Sequence, residues 1–150
     1  MEADNIVEFI EDYLLNLSDY VKSNGIDLIF DTNEEEVIIC FDKEMMKRII
    51  LNLVSNSIKF TNKGGCIFIN IKSSKDSVII EFKDNGIGMS EEFIAKAFSK
   101  YSMENRSEVK NGGYGLGLYV IYNLVKAQKG DIELKSTLGR GSTFIIRLNK

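Results

Sequence analysis

The sequence predicts an α/β (α+β) two-layer sandwich: a mixed β-sheet with about three helices on one face, plus a helix at the N-terminus. Three observations point there. Segments such as SVIIEFKD (77–84) and STFIIRLN (142–149) alternate apolar and polar residues, the period of a strand with one wet face. Runs at 4–23 and 43–60 repeat their apolar residues at helical spacing instead. The two kinds of segment are interleaved along 150 residues, one domain's worth of chain and enough for a sizeable core.

The first helix, 4–23, carries Ile6, Ile10, Leu14, Leu17 and Val21 on one face and stops at Asn24-Gly25. IDLIFDT (26–32) and EVIICF (36–41) are short strands around an acidic turn. Asp42 is placed to N-cap the helix 43–60, which ends before Asn62-Lys63-Gly64-Gly65. CIFINIKSS (66–74) and SVIIEFKD (77–84) make a hairpin through Lys75-Asp76, and a short helix follows at 91–99. SKYSMENRSEVKNGG (99–113) has almost no apolar periodicity, and a connection that long inside one domain suggests a lid. LGLYVIYNLVKAQ is a helix with Leu118, Ile121, Tyr122 and Val125 on one face, closed by Gly130. A last hairpin, 131–137 and 142–149, turns at Leu138-Gly139-Arg140-Gly141, for six strands and four helices in all. Residues 1–25 read as an N-terminal helix and linker, and 26–150 as the main domain.

Composition closes several routes. A net charge of −3 and a pI near 5.1 argue against nucleic acid as a partner. The chain contains no histidine, which removes imidazole acid–base work, Ser–His and Cys–His pairs and most zinc sites. It contains no apolar run long enough to span a membrane, and its acidic start is unlike a secretory signal. Cys40 and Cys66 are expected to be buried free thiols.

KDNGIGMSEE (83–92) poses the sharpest question. In SVIIEFKD the alternation puts Asp84 in phase with Val78, Ile80 and Phe82, so the acid points to the core. A buried carboxylate is costly unless something donates hydrogen bonds to it. In RIILNLVSNSIKF, Asn52, Asn56 and Lys59 fall within roughly a 60° arc at about 100° per residue, beside an apolar face of Met46, Ile49, Ile50, Leu53 and Phe60. The stripe reads either as a solvated edge or as a set of ligands, an amide oxygen for Mg²⁺ and an ammonium for phosphate. GGYGLGL (112–118) runs into a helix, and either makes a flexible turn or exposes amides to phosphate. It lacks the Gly-Lys-Ser/Thr of a P-loop and the glycine spacing of a dinucleotide fingerprint.

In this order NLVSNSIKFT, DNGIGM, AFSKYSM and GGYGLGL resemble the N, G1, F and G2 boxes of the catalytic ATP-binding domain of bacterial sensor histidine kinases. That family belongs to the GHKL ATPase superfamily shared with DNA gyrase and heat-shock chaperones. GDIELKSTLGRGSTFIIRL is similar to the strand–turn–strand that closes the domain, so the likeness covers 26–149. It implies ATP and Mg²⁺ as cofactors. It implies that Asp84 accepts from the adenine amino group, with Gly86, Gly88 and Met89 turning the chain close to the base. Asn56 would hold Mg²⁺ with Asn52 beside it, and Lys59 and Phe60 would line the phosphate and ribose side. The lid, with Tyr101, Arg106 and Lys110, would fold over the triphosphate. Gly113, Tyr114, Gly115, Leu116, Gly117 and Leu118 would carry it into the phosphate-facing helix, and Thr143 would add a contact from the last strand.

The sequence departs from that family at Tyr101, where a second phenylalanine is common, and at Ser57, where alanine is more usual. The phosphoacceptor histidine is also missing; in the family it lies on a separate upstream hairpin, so the chain reads as a C-terminal fragment. The implied reaction is transfer of the ATP γ-phosphoryl group to a histidine of that dimerisation domain, for relay to a response regulator receiver domain. The resemblance further implies a homodimeric parent, a monomeric isolated domain and a cytoplasmic location, with membrane anchoring of the parent left open. Asn52 stands where hydrolysing relatives and anti-sigma-factor serine kinases carry a glutamate base. The alternatives are such a serine kinase, or a nucleotide-binding or docking module without catalysis.

Overall fold

The computed structural model describes residues 1–99 and 114–150, with the side chains of 114–116 left aside. In chain order these are β1 (Glu2–Asn5), α1 (Ile6–Ser23), β2 (Asp27–Thr32), β3 (Ile38–Phe41) and α2 (Lys43–Phe60). After them come β4 (Cys66–Ser73), β5 (Ser77–Asp84), α3 (Glu91–Lys96), α4 (Tyr114–Ala127), β6 (Asp131–Ser136) and β7 (Ser142–Asn149). No helix among the described residues is long and apolar enough to cross a membrane.

Five strands form the main sheet in the order β2-β4-β5-β7-β6, with β2 parallel to β4 and every other neighbour antiparallel. The sheet is therefore mixed, as expected. Its inner face is the apolar phase of each strand: Ile67, Ile69 and Ile71 on β4, Val78, Ile80 and Phe82 on β5, and Phe144, Ile146 and Leu148 on β7. These pack with Ile49, Ile50, Leu53 and Val54 of α2 and Leu118, Ile121 and Val125 of α4 in one core. Ile6, Ile10, Leu14 and Val21 of α1 join that same core, so the first helix belongs to it. The opposite phase, including Phe68, Lys72, Lys83 and Arg147, faces solvent. The structure is thus a two-layer sandwich.

The N-terminal region differs from the expectation. Residues 2–5 are extended and pair antiparallel with β3 in a separate two-stranded sheet, so 36–41 contributes no strand to the main one. Asn5 is the reason the helix begins late: its side-chain oxygen accepts from the Val7 and Glu8 N–H groups, the work of an N-cap, and also from Val37 N–H. Asp42 caps α2 as expected, accepting from Met45 N–H at 2.9 Å. The close of α4 also differs in detail. Lys129, at φ 61, takes the left-handed position, while Gly130 donates to Val125 O at 3.0 Å. A Cβ at 130 would meet Arg147 O at 2.7 Å, so glycine is needed there for packing.

The two cysteines are free but not buried: Cys40 is exposed and Cys66 half-buried. Strand phase explains it. Ile39 and Phe41 take the inward positions of β3 and Ile67 the first inward position of β4, leaving each thiol on the outer phase.

Candidate functional site

The last two turns of α2, the end of β5 and the start of β7 converge at Asp84. Its side chain is 3% exposed. The donors that a buried carboxylate needs are supplied within the chain: Gly86 N–H donates to Oδ1 at 2.9 Å and the Ser57 hydroxyl to Oδ2 at 3.2 Å. Burial pushes the Asp84 carboxyl above its ordinary range, and the Gly86 amide, the Ser57 hydroxyl and the Ser142 backbone, in that order, pull it back down. A carboxylate with this little solvent and donors on both oxygens is held as an acceptor in one orientation.

The α2 stripe grades from wet to dry. Lys59 is exposed, Asn52 half-buried and Asn56 5% exposed. The amide nitrogen of Asn56 is buried and has no hydrogen-bond partner among the described residues. Facing it is α4: a Cβ on Gly117 would lie 3.1 Å from Asn56 Nδ2 and 3.6 Å from Oδ1. A side chain at 117 would crowd this amide. Thr61, at the end of α2, holds a buried hydroxyl that likewise has no partner among the described residues and lies close to Gly86. A native fold seldom leaves such groups unsatisfied, since each costs about 1–3 kcal/mol. An amide oxygen suits a hard cation and an amide hydrogen a phosphate oxygen, so Asn56 fits the Mg²⁺–phosphate group that the family implies.

Gly86 and Gly88 are fixed by the chain's own backbone. A Cβ at 86 would strike Phe60 O, where Ile87 N–H donates at 3.0 Å, and one at 88, where φ is 73°, would strike Thr137 O. Met89 is 4% exposed, and its N–H donates to Ser136 Oγ at 2.8 Å. Ser136 Oγ also lies 2.8 Å from Gly141 O and 2.9 Å from Ser142 Oγ, and Gly139 N–H donates to Ile87 O at 2.7 Å. The 137–141 turn is thus stitched to the loop after Asp84. Phe60 and Leu118 are buried at 8% and 0% exposure, Leu118 inside the core.

Thr143 is not brought to this site. It pairs with Lys83 and Lys135 on the solvent phase of β7, whereas Ser142, 2% exposed, stands opposite Asp84. Ser57, Ser136 and Ser142 are the residues that sequence reasoning missed. The alternation of Phe144, Ile146 and Leu148 would have found Ser142. Tyr101, Arg106, Lys110, Gly113 and all of the expected lid (99–113) except Ser99 lie outside the described residues, as do the side chains of Tyr114 and Leu116. The backbone of α4 begins at Tyr114, which places positions 115 and 117 in its first turn. Two residues beyond α3, the Phe98 ring stacks on Tyr122 of α4 with centroids 5.6 Å apart.

Residues 41–150 match the family described as "Histidine kinase-, DNA gyrase B-, and HSP90-like ATPase". Among curated proteins, the sensor histidine kinase YclK of Bacillus subtilis is 36% identical over 117 residues, 77% of this chain and 24% of its own length. Hybrid signal transduction histidine kinase B of Dictyostelium discoideum is 35% identical over 147 residues, 93% of this chain. The chain spans 7% of that relative's length. Among solved structures, the catalytic domain of histidine kinase ThkA superposes with a TM-score of 0.85 at 26% identity, covering 100% of this chain and 97% of that one. ThkA in complex with response regulator protein TrrA shares the fold at 23% identity and a TM-score of 0.82, covering 99% of this chain and 41% of that one. The chain has the fold of histidine kinase catalytic domains and belongs to the histidine kinase-, DNA gyrase B- and HSP90-like ATPase family.

Proposed function

We propose that this domain binds ATP with Mg²⁺ and transfers the γ-phosphoryl group to a histidine on a separate dimerisation domain, for relay to a response regulator. The observation that carries this reading is a buried, donor-fixed Asp84 bonded to Ser57 of α2, next in sequence to Asn56, whose buried amide nitrogen has no partner among the described residues. Asp84 accepts from the exocyclic amine of the base. Asn56 offers its oxygen to the cation and its N–H to a phosphate oxygen, and the first-turn amides of α4 add donors beside it. When bound, Mg²⁺ neutralises charge on the phosphates, the main requirement of phosphoryl transfer. Asn52 has no basic group to activate water. The acceptor must then be nucleophilic without a base to take its proton, as a neutral imidazole nitrogen is and a serine hydroxyl is not. The response regulator bound by ThkA is the kind of partner that such a relay needs.

Asn56→Ala tests the metal half. ATP titrations with and without Mg²⁺ should show the Mg²⁺-dependent gain in affinity reduced by about tenfold, while thermal stability stays within about 1 kcal/mol of the parent. An unaltered Mg²⁺ effect in a destabilised protein would refute it.

A further inference from the structure

Ser57 sits one residue beyond Asn56, 5% exposed, and its hydroxyl reaches across from α2 to Asp84 Oδ2 at 3.2 Å. Gly86 N–H, from the adjoining loop, holds Oδ1, and the Ser142 backbone adds a further bond, so Ser57 is the one side-chain donor to this carboxylate among the described residues. The Ser57 and Gly86 donors, from different elements and on different oxygens, fix both the position and the plane of the carboxylate. We propose that Ser57 is a specificity-determining positioning residue, which aims Asp84 so that the site takes a 6-amino purine nucleotide in preference to a 6-oxo one. The inference rests on Asp84 being the base-reading group.

The chemistry is asymmetric. A 6-amino purine donates to the aimed carboxylate, and that bond weakens if the carboxylate swings away. A 6-oxo purine presents an acceptor to an acceptor, makes no such bond, and is held by whatever grips its phosphates and ring. Losing the Ser57 hydroxyl should therefore cost the first ligand and spare the second. A purely structural role would cost both alike.

The test measures ATP and inosine triphosphate affinities on the 150-residue chain for the parent, Ser57→Ala, Ser57→Thr and Asp84→Asn. Ser57→Ala should weaken ATP about tenfold, leave inosine triphosphate unchanged, and so narrow the preference about tenfold. Ser57→Thr, which keeps the hydroxyl, should restore most of it. Should Ser57→Ala fail to fold, Ser57→Cys, similar in size and a weak donor, carries the same expectation. Equal losses for both nucleotides, or an unchanged ratio, would overturn the role of Ser57. If Asp84→Asn also leaves ATP affinity intact, the base-reading assignment falls with it; a damaging Asp84→Asn beside an unchanged Ser57→Ala ratio removes this inference alone.

Discussion

Asp84→Asn is expected to weaken ATP binding by about a hundredfold or more while the domain stays folded. Asparagine keeps the size of the side chain but exchanges one acceptor oxygen for an amide. If that amide faces the base, donor meets donor; if it faces Ser57 or Gly86, it loses a chain donor at 3.2 or 2.9 Å instead. Calorimetric titration with ATP reads the loss, and an affinity within a few-fold of the parent would end the assignment of Asp84 to the base. Stability should move the other way. Burial raises the Asp84 pKa in the folded state above the unfolded value of 3.8. The contribution of the neutral acid to stability is therefore fully present below 3.8 and lost as pH rises through the folded pKa. Asp84→Asn removes that loss. Urea denaturation without nucleotide should show the variant gaining on the parent as pH rises through this window, with a constant difference above it. A difference that shrinks with rising pH would contradict the sign.

Gly141→Ala should cost about 3 kcal/mol and take nucleotide affinity down with it. At φ 87 the backbone is already in the left-handed region, and an added Cβ would strike Asp84 O and come within 2.9 Å of Asn85 Cα. Both contacts are with backbone, which no rotamer change relieves. Relief means parting β7 from β5 at the Asp84–Ser142 pair. Gly139→Ala supplies the comparison: it has φ 81 and nothing within 4 Å, so only the conformational term applies, about 1–2 kcal/mol. Chemical denaturation of both variants separates the terms. Equal costs would show that the close approach to Asp84 carries no penalty.

Much of this was legible in strand phase. Asp84 follows Val78, Ile80 and Phe82 inward, and the period of two that makes an apolar face carried the acid into it. The same period assigns Ser142 inward, opposite Asp84, and Thr143 to the outer phase, a distinction the pattern already held. The Ser57–Asp84 bond was not legible, because the residues are 27 apart and no local rule relates a helix turn to a strand end. The glycines were visible as positions; what excludes a side chain there, Phe60 O and Thr137 O, comes from distant chain. β1 escaped because a strand of 4 residues, EADN, has no periodicity to detect.

The stitching of the 137–141 turn to the loop after Asp84 sets an order of events during synthesis. Asn56, Ser57 and Asp84 leave the ribosome first, but the strand that stands opposite Asp84 and the hydroxyl that ties down Met89 follow only at 136–149. A nascent chain therefore carries Asn56, Ser57 and Asp84 before the strand that pairs with Asp84 exists, and the surroundings of that carboxyl are complete only once 136–149 has been added.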